Sequence, residues 1–283
     1  MSPNRLRVVV CAIAVIAGCT TCRAQDGAQG FFSQWEDRVR DTLAQQPSWP
    51  IPVVTASSGL LQVARTDFAR QITPAGTDTW NYGNTKGISL VPWYNVEFDV
   101  LAPPYIQHNS TAKDGAGDFS MLLKYRLAAG NSEHGDYSLS FSVAGTLPTG
   151  SYNNGSLAAT IAPTLCAGKG FRRFDVQSTL AAVLPADDAT KLGRPVLWNA
   201  VGQYHVWKWF WPEIENNATF YHGGAHDGQT QNFITPGLML SKFKLERDPR
   251  NRLAFLFGGG MQIATSQFHT YNHGLALTTR LLF

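Results

Sequence analysis

The chain has 283 residues, enough for one large barrel or two average domains. Only 15 % of the residues are charged, 12 % are aromatic and the net charge is +3, which argues against a disordered chain and against a nucleic-acid partner. Mean hydropathy is −0.14 and no apolar run reaches the ~18–20 residues of a membrane-spanning helix, so any crossing of a bilayer falls to strands.

Arg5 and Arg7 precede an apolar stretch from Val8 to Gly18, and small and polar residues lead on to Ala24. This has the form of a secretory signal peptide over residues 1–24, cleaved after Ala24. Ile16-Ala17-Gly18-Cys19 also resembles a bacterial lipobox, in which an acylated Cys19 becomes the mature N-terminus. Cys11, Cys19 and Cys22 lie in the leader, so cleavage after Ala24 leaves Cys166 alone and the fold without an internal disulfide. Cys166 reads as a small strand residue, not a nucleophile.

Within residues 25–50, Phe31, Phe32, Trp35, Val39 and Leu43 recur at helical spacing among charged residues, and Pro47 and Pro50 follow. The expectation is a short amphipathic helix and linker at the periplasmic mouth of a barrel, with insertion into the lumen as a plug the alternative.

From residue 59 the period becomes two. Tyr137, Leu139, Phe141 and Val143 alternate with Ser138, Ser140 and Ser142; Met121, Leu123, Tyr125 and Leu127 alternate around Lys124 and Arg126. The pattern predicts about twelve strands, near 59–70, 84–92, 94–101, 117–128, 136–147, 156–166, 172–184, 195–207, 212–222, 231–245, 251–263 and 271–283. These exceed the usual length of soluble strands and match what a tilted bilayer crossing needs. Trp93, Tyr94, Trp207, Trp209 and Trp211 are placed as interfacial aromatics. The chain ends in an amphipathic strand whose last residue is Phe283, which resembles the signal read by the bacterial barrel-assembly machinery. Long connections after the odd strands and short ones after the even strands put both termini in the periplasm. The fold class expected is all-β: a transmembrane antiparallel up-and-down β-barrel over residues 51–283, in the bacterial outer membrane and bathed in its lipid.

Gly117-Asp118-Phe119 leading into Leu123-Lys124-Tyr125-Arg126-Leu127 is followed by Leu147-Pro148-Thr149-Gly150, the Asn199-to-Tyr204 strand, Pro212-Glu213-Ile214-Glu215 and Thr235-Pro236-Gly237. In that order these motifs resemble the outer-membrane barrels named for the meta-pathway of phenol degradation, over roughly residues 50–283. The resemblance implies a β-barrel that passes small molecules, aromatic or apolar ones among them. It carries over no catalytic residue and no cofactor.

The alternation points Glu97, Asp99, Asp118, Lys124, Arg126, Arg173, Asp175, Glu213, Glu215 and Arg280 into the lumen. Two readings stand: opposite charges pair across neighbouring strands and hold the barrel's shape, or they form a polar constriction that selects the solute. A structural or adhesive barrel with a closed lumen is the alternative to a transporter. A lipid hydrolase built on Ser266, His269 and His273 is a third reading. His222, His226 and Asp227 lie in a Gly-rich loop and Asp187-Asp188 in a turn, both read as solvated loops, not metal sites. Gly258-Gly259-Gly260 lacks the strand–turn–helix setting of a phosphate loop and reads as relief of crowding in a strand. Mass spectrometry of the purified protein is expected to find a mature N-terminus at Gln25; a diacylated Cys19 would contradict that cut.

Overall fold

The computed structural model describes residues 25–245 and 252–283. The expected leader, its lipobox and Cys11, Cys19 and Cys22 lie outside the described residues. Helix α1 (Gln25–Ala44) is followed by sixteen strand segments. They are β1 (Val63–Ile72), β2 (Asp78–Tyr82), β3 (Gly87–Trp93), β4 (Val96–Leu101), β5 (Tyr105–His108), β6 (Gly115–Ala116), β7 (Phe119–Gly130) and β8 (Tyr137–Leu147). Then come β9 (Thr160–Phe171), β10 (Phe174–Ala182), β11 (Leu184–Pro185), β12 (Val196–Tyr204), β13 (Phe210–Phe220), β14 (Thr230–Lys244), β15 (Ala254–Ala264) and β16 (His273–Leu282).

Twelve of these make the wall, in the order β1-β3-β4-β7-β8-β9-β10-β12-β13-β14-β15-β16, all antiparallel. Pairing of β16 on β1, from Val63↔Leu282 to Ile72↔His273, closes the ring. Closure removes the sheet edge that a membrane cannot solvate. The fold is thus a transmembrane barrel of the expected strand number. The smaller segments continue wall strands: the far half of β1 pairs with β2, β2 with β5 and β5 with β6, while β11 pairs with β9.

Alternation along each strand sorts the side chains. On β7, Met121, Leu123, Tyr125 and Leu127 are exposed on the outer face, whereas Lys124 and Arg126 are buried. On β8, Ser138, Ser140 and Ser142 are buried and Phe141 and Val143 exposed. The polar side chains are therefore inside and the oily ones outside, the inverse of a soluble core.

The two rims differ. One carries short turns, such as Tyr94 and Asn95 between β3 and β4 and Arg172 and Arg173 between β9 and β10. Asn95 adopts φ 62°, a left-handed conformation that Asn tolerates in tight hairpins. The other rim carries the longer loops, among them 102–118, 148–159 and 183–195. Residue 63, where the wall begins, and the C-terminal Phe283 both lie at the short-turn rim.

Two strand boundaries differ in detail: β9 runs on to Phe171, so residues 167–171, expected as a connection, are strand and the turn is Arg172 and Arg173 alone. The first wall strand starts at 63, not 59, because residues 59–62 are drawn into the lumen. Helix α1 lies across the short-turn rim with its C-terminal half engaged by the interior. Val39 packs in a buried cluster with Leu60 and Val91, with Trp35 and Leu43 against it, and Trp35 Nε1 donates to Val91 O at 3.0 Å.

Candidate functional site: an occupied lumen

Between α1 and β1, residues 45–62 run through the barrel without joining its wall. Pro47, Pro50 and Pro52 each lack a backbone donor, so the stretch propagates neither helix nor ladder. Ile51, Val53, Thr55, Ser58 and Leu60 are buried. Main-chain groups buried without a ladder need other partners, and here the lumen side chains supply them.

The contacts follow the chain as a lasso. Near the short-turn rim, Lys242 Nζ donates to Ser48 O at 2.7 Å and Trp49 Nε1 to Asp136 at 3.3 Å. Arg280 on β16 then donates to Ile51 O at 2.6 Å and Pro52 O at 2.5 Å. On β13, Glu213 accepts the Val53 N–H at 3.0 Å, and Glu215 accepts those of Val54 at 2.8 Å and Thr55 at 2.6 Å. Thr55 Oγ1 also donates to Glu215 at 2.5 Å. Val54 and Ala56, flanking Thr55, are exposed.

The returning limb meets the opposite wall. Ser138 and Ser140 on β8 donate to Ser58 O at 2.9 and 2.8 Å, and the Ser58 N–H reaches Gln177 Oε1 on β10 at 3.1 Å. Lys124 on β7 donates to Gly59 O at 3.2 Å and to Glu97 on β4 at 2.8 Å. Glu97 in turn accepts the Leu61 N–H. Gln62 Oε1 accepts the Val91 N–H at 2.8 Å, and β1 begins at the next residue. The bonds that Lys124 and Arg280 donate to main-chain carbonyls have an ionised donor, and such bonds are roughly twice as strong as neutral ones.

Arg126 holds the helix end. Its guanidinium donates to Thr42 O at 2.6 Å, to the side chains of Gln45 and Gln46, and to Asn95 Oδ1 at 2.6 Å. Helix α1 has no basic residue in its last turn, so the wall supplies the cation that the carbonyl end of a helix favours.

Apolar contacts fix both limbs. Leu60 sits in the cluster with Val39 and Val91, and Val53 in a second with Met239 and Leu256. Gly168 allows the close approach between them and the wall: a Cβ there would stand 2.5 Å from Ser58 Oγ and 2.6 Å from Trp49. Gly258 likewise leaves room for Met239, whose sulfur would lie 2.0 Å from an added Cβ. A cavity of ≈ 40 Å³ remains between Trp49, Gly59, Ser138 and Gln177. That is room for water, not for a solute.

The structure brings most of the charged residues singled out above to this lasso. Glu97, Lys124, Arg126, Glu213, Glu215 and Arg280 touch residues 42–62 directly. Asp99 and Asp175 face the same interior and are buried. Lys124 pairs with a carboxylate of the neighbouring strand, whereas Arg126 serves the helix end. Two residues lie elsewhere. Asp118 sits in the loop before β7 and accepts the N–H groups of Gly150 at 2.8 Å and Ser156 at 2.5 Å, tying the 148–159 loop. Arg173 is exposed in the β9–β10 turn, because the strand ends at Phe171 and the alternation does not extend through the turn. Among the aromatics, Trp93, Tyr94 and Trp207 are exposed, Trp209 lies between Trp207 and Phe243, and Phe283 is at the chain end. Trp211 turns inward, stacked on His205 at 4.2 Å and packed against the Val53 cluster.

Uncharged partners escaped the sequence reading. Gln177 Nε2 donates to Gln203 Oε1 at 3.2 Å, and Gln203 Nε2 to Glu213 at 2.6 Å, which joins the two limbs' anchors into one network. Their inward parity was visible in the alternation; their neutrality hid them.

The other clusters organise loops. Ser266 Oγ donates to Phe268 O at 2.7 Å, and His269 contacts the Ser266 carbonyl, not its hydroxyl, at 2.9 Å. Asp227 accepts the Gly223 N–H at 2.5 Å, and the His226 ring lies 4.7 Å from that of Phe268. Among the described residues no group of three His, Cys, Asp or Glu side chains could hold a metal.

Neither a family model nor a curated protein sequence matches the chain. Two solved structures are similar in fold. An outer membrane channel from Pseudomonas putida F1 superposes with a TM-score of 0.52 at 16 % identity, covering 79 % of this chain and 96 % of that one. The NanC porin gives a TM-score of 0.48 at 8 % identity, covering 78 % of this chain and 98 % of that one.

Replacing Lys124 by Met leaves Glu97 buried beside the lasso without its cation. Chemical unfolding in detergent micelles is expected to show a loss of ~3–5 kcal/mol, much of it restored by adding Glu97→Gln. Unchanged stability of Lys124→Met would contradict the pairing.

Proposed function

We propose that this protein is a bacterial outer-membrane channel for small molecules whose lumen is closed, in the conformation described, by its own residues 45–62. The observation that carries the reading is the chemistry of the closure. The lasso is held chiefly by side chains of the wall bonding to its main chain, so it is an occupant of the lumen and not part of the cylinder. Moving it aside would leave the wall's hydrogen-bonded ring intact.

The short-turn rim, which holds the helix and both ends of the barrel segment, faces the periplasm, and the long loops face outward, in keeping with the usual asymmetry of such barrels. The fold's likeness to the channel from Pseudomonas putida F1 accords with this reading. The resemblance to the barrels named for the meta-pathway of phenol degradation supports small solutes, aromatic or apolar ones among them, as the cargo. A signal peptide over residues 1–24 and the amphipathic stretch that includes Phe283 would fit export and delivery by the barrel-assembly machinery.

One observation favours a second reading, a structural or adhesive barrel that never opens. The lasso is anchored at both limbs by apolar side chains as well as by charge, through Val53 and Leu60. A lipid hydrolase draws no comparable support, since His269 and Ser266 do not form a nucleophile–base pair.

Reconstitution in planar bilayers separates the two. The wild-type chain is expected to show low conductance with brief openings, and Arg280→Met or Glu215→Gln, which each remove a lasso anchor, to raise the open fraction and the uptake of phenol and neutral solutes. Silence of all three proteins, with their folding verified by circular dichroism, would overturn the channel reading in favour of the closed barrel.

A further inference from the structure

Beside the tip of the lasso, one arc of the lumen wall is polar without being charged. Four successive wall strands, β10, β12, β13 and β14, turn Thr179, Asn199, Asn217 and Thr235 inward. The register sets them side by side. Thr179 opposes Asn199 and Asn199 opposes Asn217, while Thr235 opposes Glu215, two residues before Asn217. Hydrogen bonds run along the row: Asn199 Nδ2 donates to Thr179 Oγ1 at 3.4 Å, Asn217 Nδ2 to Asn199 Oδ1 at 3.3 Å and Thr235 Oγ1 to Asn217 Oδ1 at 3.3 Å. Asn217 Nδ2 also reaches Thr55 Oγ1 at 3.4 Å, so the row touches the lasso.

These bonds differ from those that anchor the lasso. Glu215 receives its partners at 2.5, 2.6 and 2.8 Å, whereas every bond of the row is longer than the roughly 2.7–3.2 Å of a well-formed one. An asparagine amide has two N–H donors and two acceptor lone pairs, so loosely held amides can take a better partner. Thr179 and Thr235 are buried, but Asn199 and Asn217 are only half-buried, which makes the amides the groups an entering solute meets. Val54, whose N–H is bound by Glu215 deep in the barrel, still has 37 % of its surface exposed, and Ala56 is exposed as well. The tip of the lasso therefore offers apolar surface to open space in the lumen.

The row also disfavours ions. None of its four side chains ionises, and Glu215 next to it has both oxygens taken, Oε1 by Val54 and Oε2 by Thr55. An ion at the row would exchange its hydration for neutral partners alone, which costs far more than desolvating an amide or hydroxyl that the row re-bonds.

We infer that Asn199 and Asn217, with Val54 beside them, form a recognition site for an uncharged solute that carries a primary amide or hydroxyl on a short apolar body. The solute's polar group replaces the long bonds of the two asparagines, and its apolar body covers Val54 and Ala56. The inference rests on the reading of the lumen as a solute path and adds the chemistry of the solute.

The test uses the whole chain in detergent micelles with its asparagines labelled with nitrogen-15. The side-chain amide resonances of Asn199 and Asn217 are identified by their loss in Asn199→Ala and Asn217→Ala. The probes are isobutyramide and isobutyrate, which share a shape and differ in charge. Isobutyramide is expected to shift both resonances saturably, and isobutyrate to bind at least about tenfold more weakly, a factor that ~1.4 kcal/mol of uncompensated desolvation supplies. Asn217→Leu keeps the volume and removes the amide. It is expected to weaken the response of Asn199 at least about tenfold, while Asn109→Leu in an exposed loop leaves it unchanged. No saturable shift with isobutyramide, equal binding of the two probes, or an unchanged response in Asn217→Leu would each overturn the site. The two probes are compared on the wild-type chain, so they decide the matter even where Asn217→Leu fails to fold. Binding without conduction in planar bilayers would keep the site and remove the channel, whereas conduction without binding would do the reverse.

Discussion

The charges inside this barrel are satisfied by a peptide backbone. Glu97, Glu213, Glu215, Lys124 and Arg280 project from the wall into a space that residues 45–62 fill, and what they bond is largely main chain: the N–H groups of residues 53, 54, 55 and 61 and the carbonyls of 51, 52 and 59. Each side needs the other. Without the lasso the charges would need water or another ligand, and without the charges the lasso would bury unpaired amides, at a cost of about 1–3 kcal/mol for each. Lumen charge and lasso therefore form one structural unit built on a wall that closes independently.

That division explains how the sequence could be read. The wall was legible because its determinants are local and periodic. Tyr137, Phe141 and Val143 facing out, with Ser138, Ser140 and Ser142 facing in, state the sheet and its two sides within a single strand. The inward set at Glu97, Lys124, Arg126, Asp175, Glu213, Glu215 and Arg280 came from the same parity. Arg173 and Trp211 were misplaced for different reasons. Arg173 belongs to a two-residue turn. Trp211 shares the inward parity of Glu213 and Glu215 on β13, but its place in a run of aromatics suggested a girdle.

The lasso was much less legible. Gly59, Leu60, Leu61 and Gln62 look like the start of a strand, and Pro50 and Pro52 mark only the absence of regular structure. Its path is fixed by contacts to residues some 30 to 230 positions away, such as Leu61 with Glu97 and Ile51 with Arg280. No local pattern encodes those contacts. The part that enters the lumen deepest is not the helix but the extended segment behind it. Gly168, whose missing side chain makes room for Ser58 and Trp49, fell in the connection expected between strands 156–166 and 172–184, and only the structure places it inside β9.

The central claim is that residues 51–62 are a fixed part of the folded interior, held through their amides. Residue-resolved hydrogen–deuterium exchange on the detergent-solubilised protein reads those amides directly. The amides of Val53, Val54, Thr55 and Leu61 are expected to exchange as slowly as those of the adjoining wall strands β4 and β13. Exchange at the rate of an unstructured peptide, while the wall stays protected, would contradict the account.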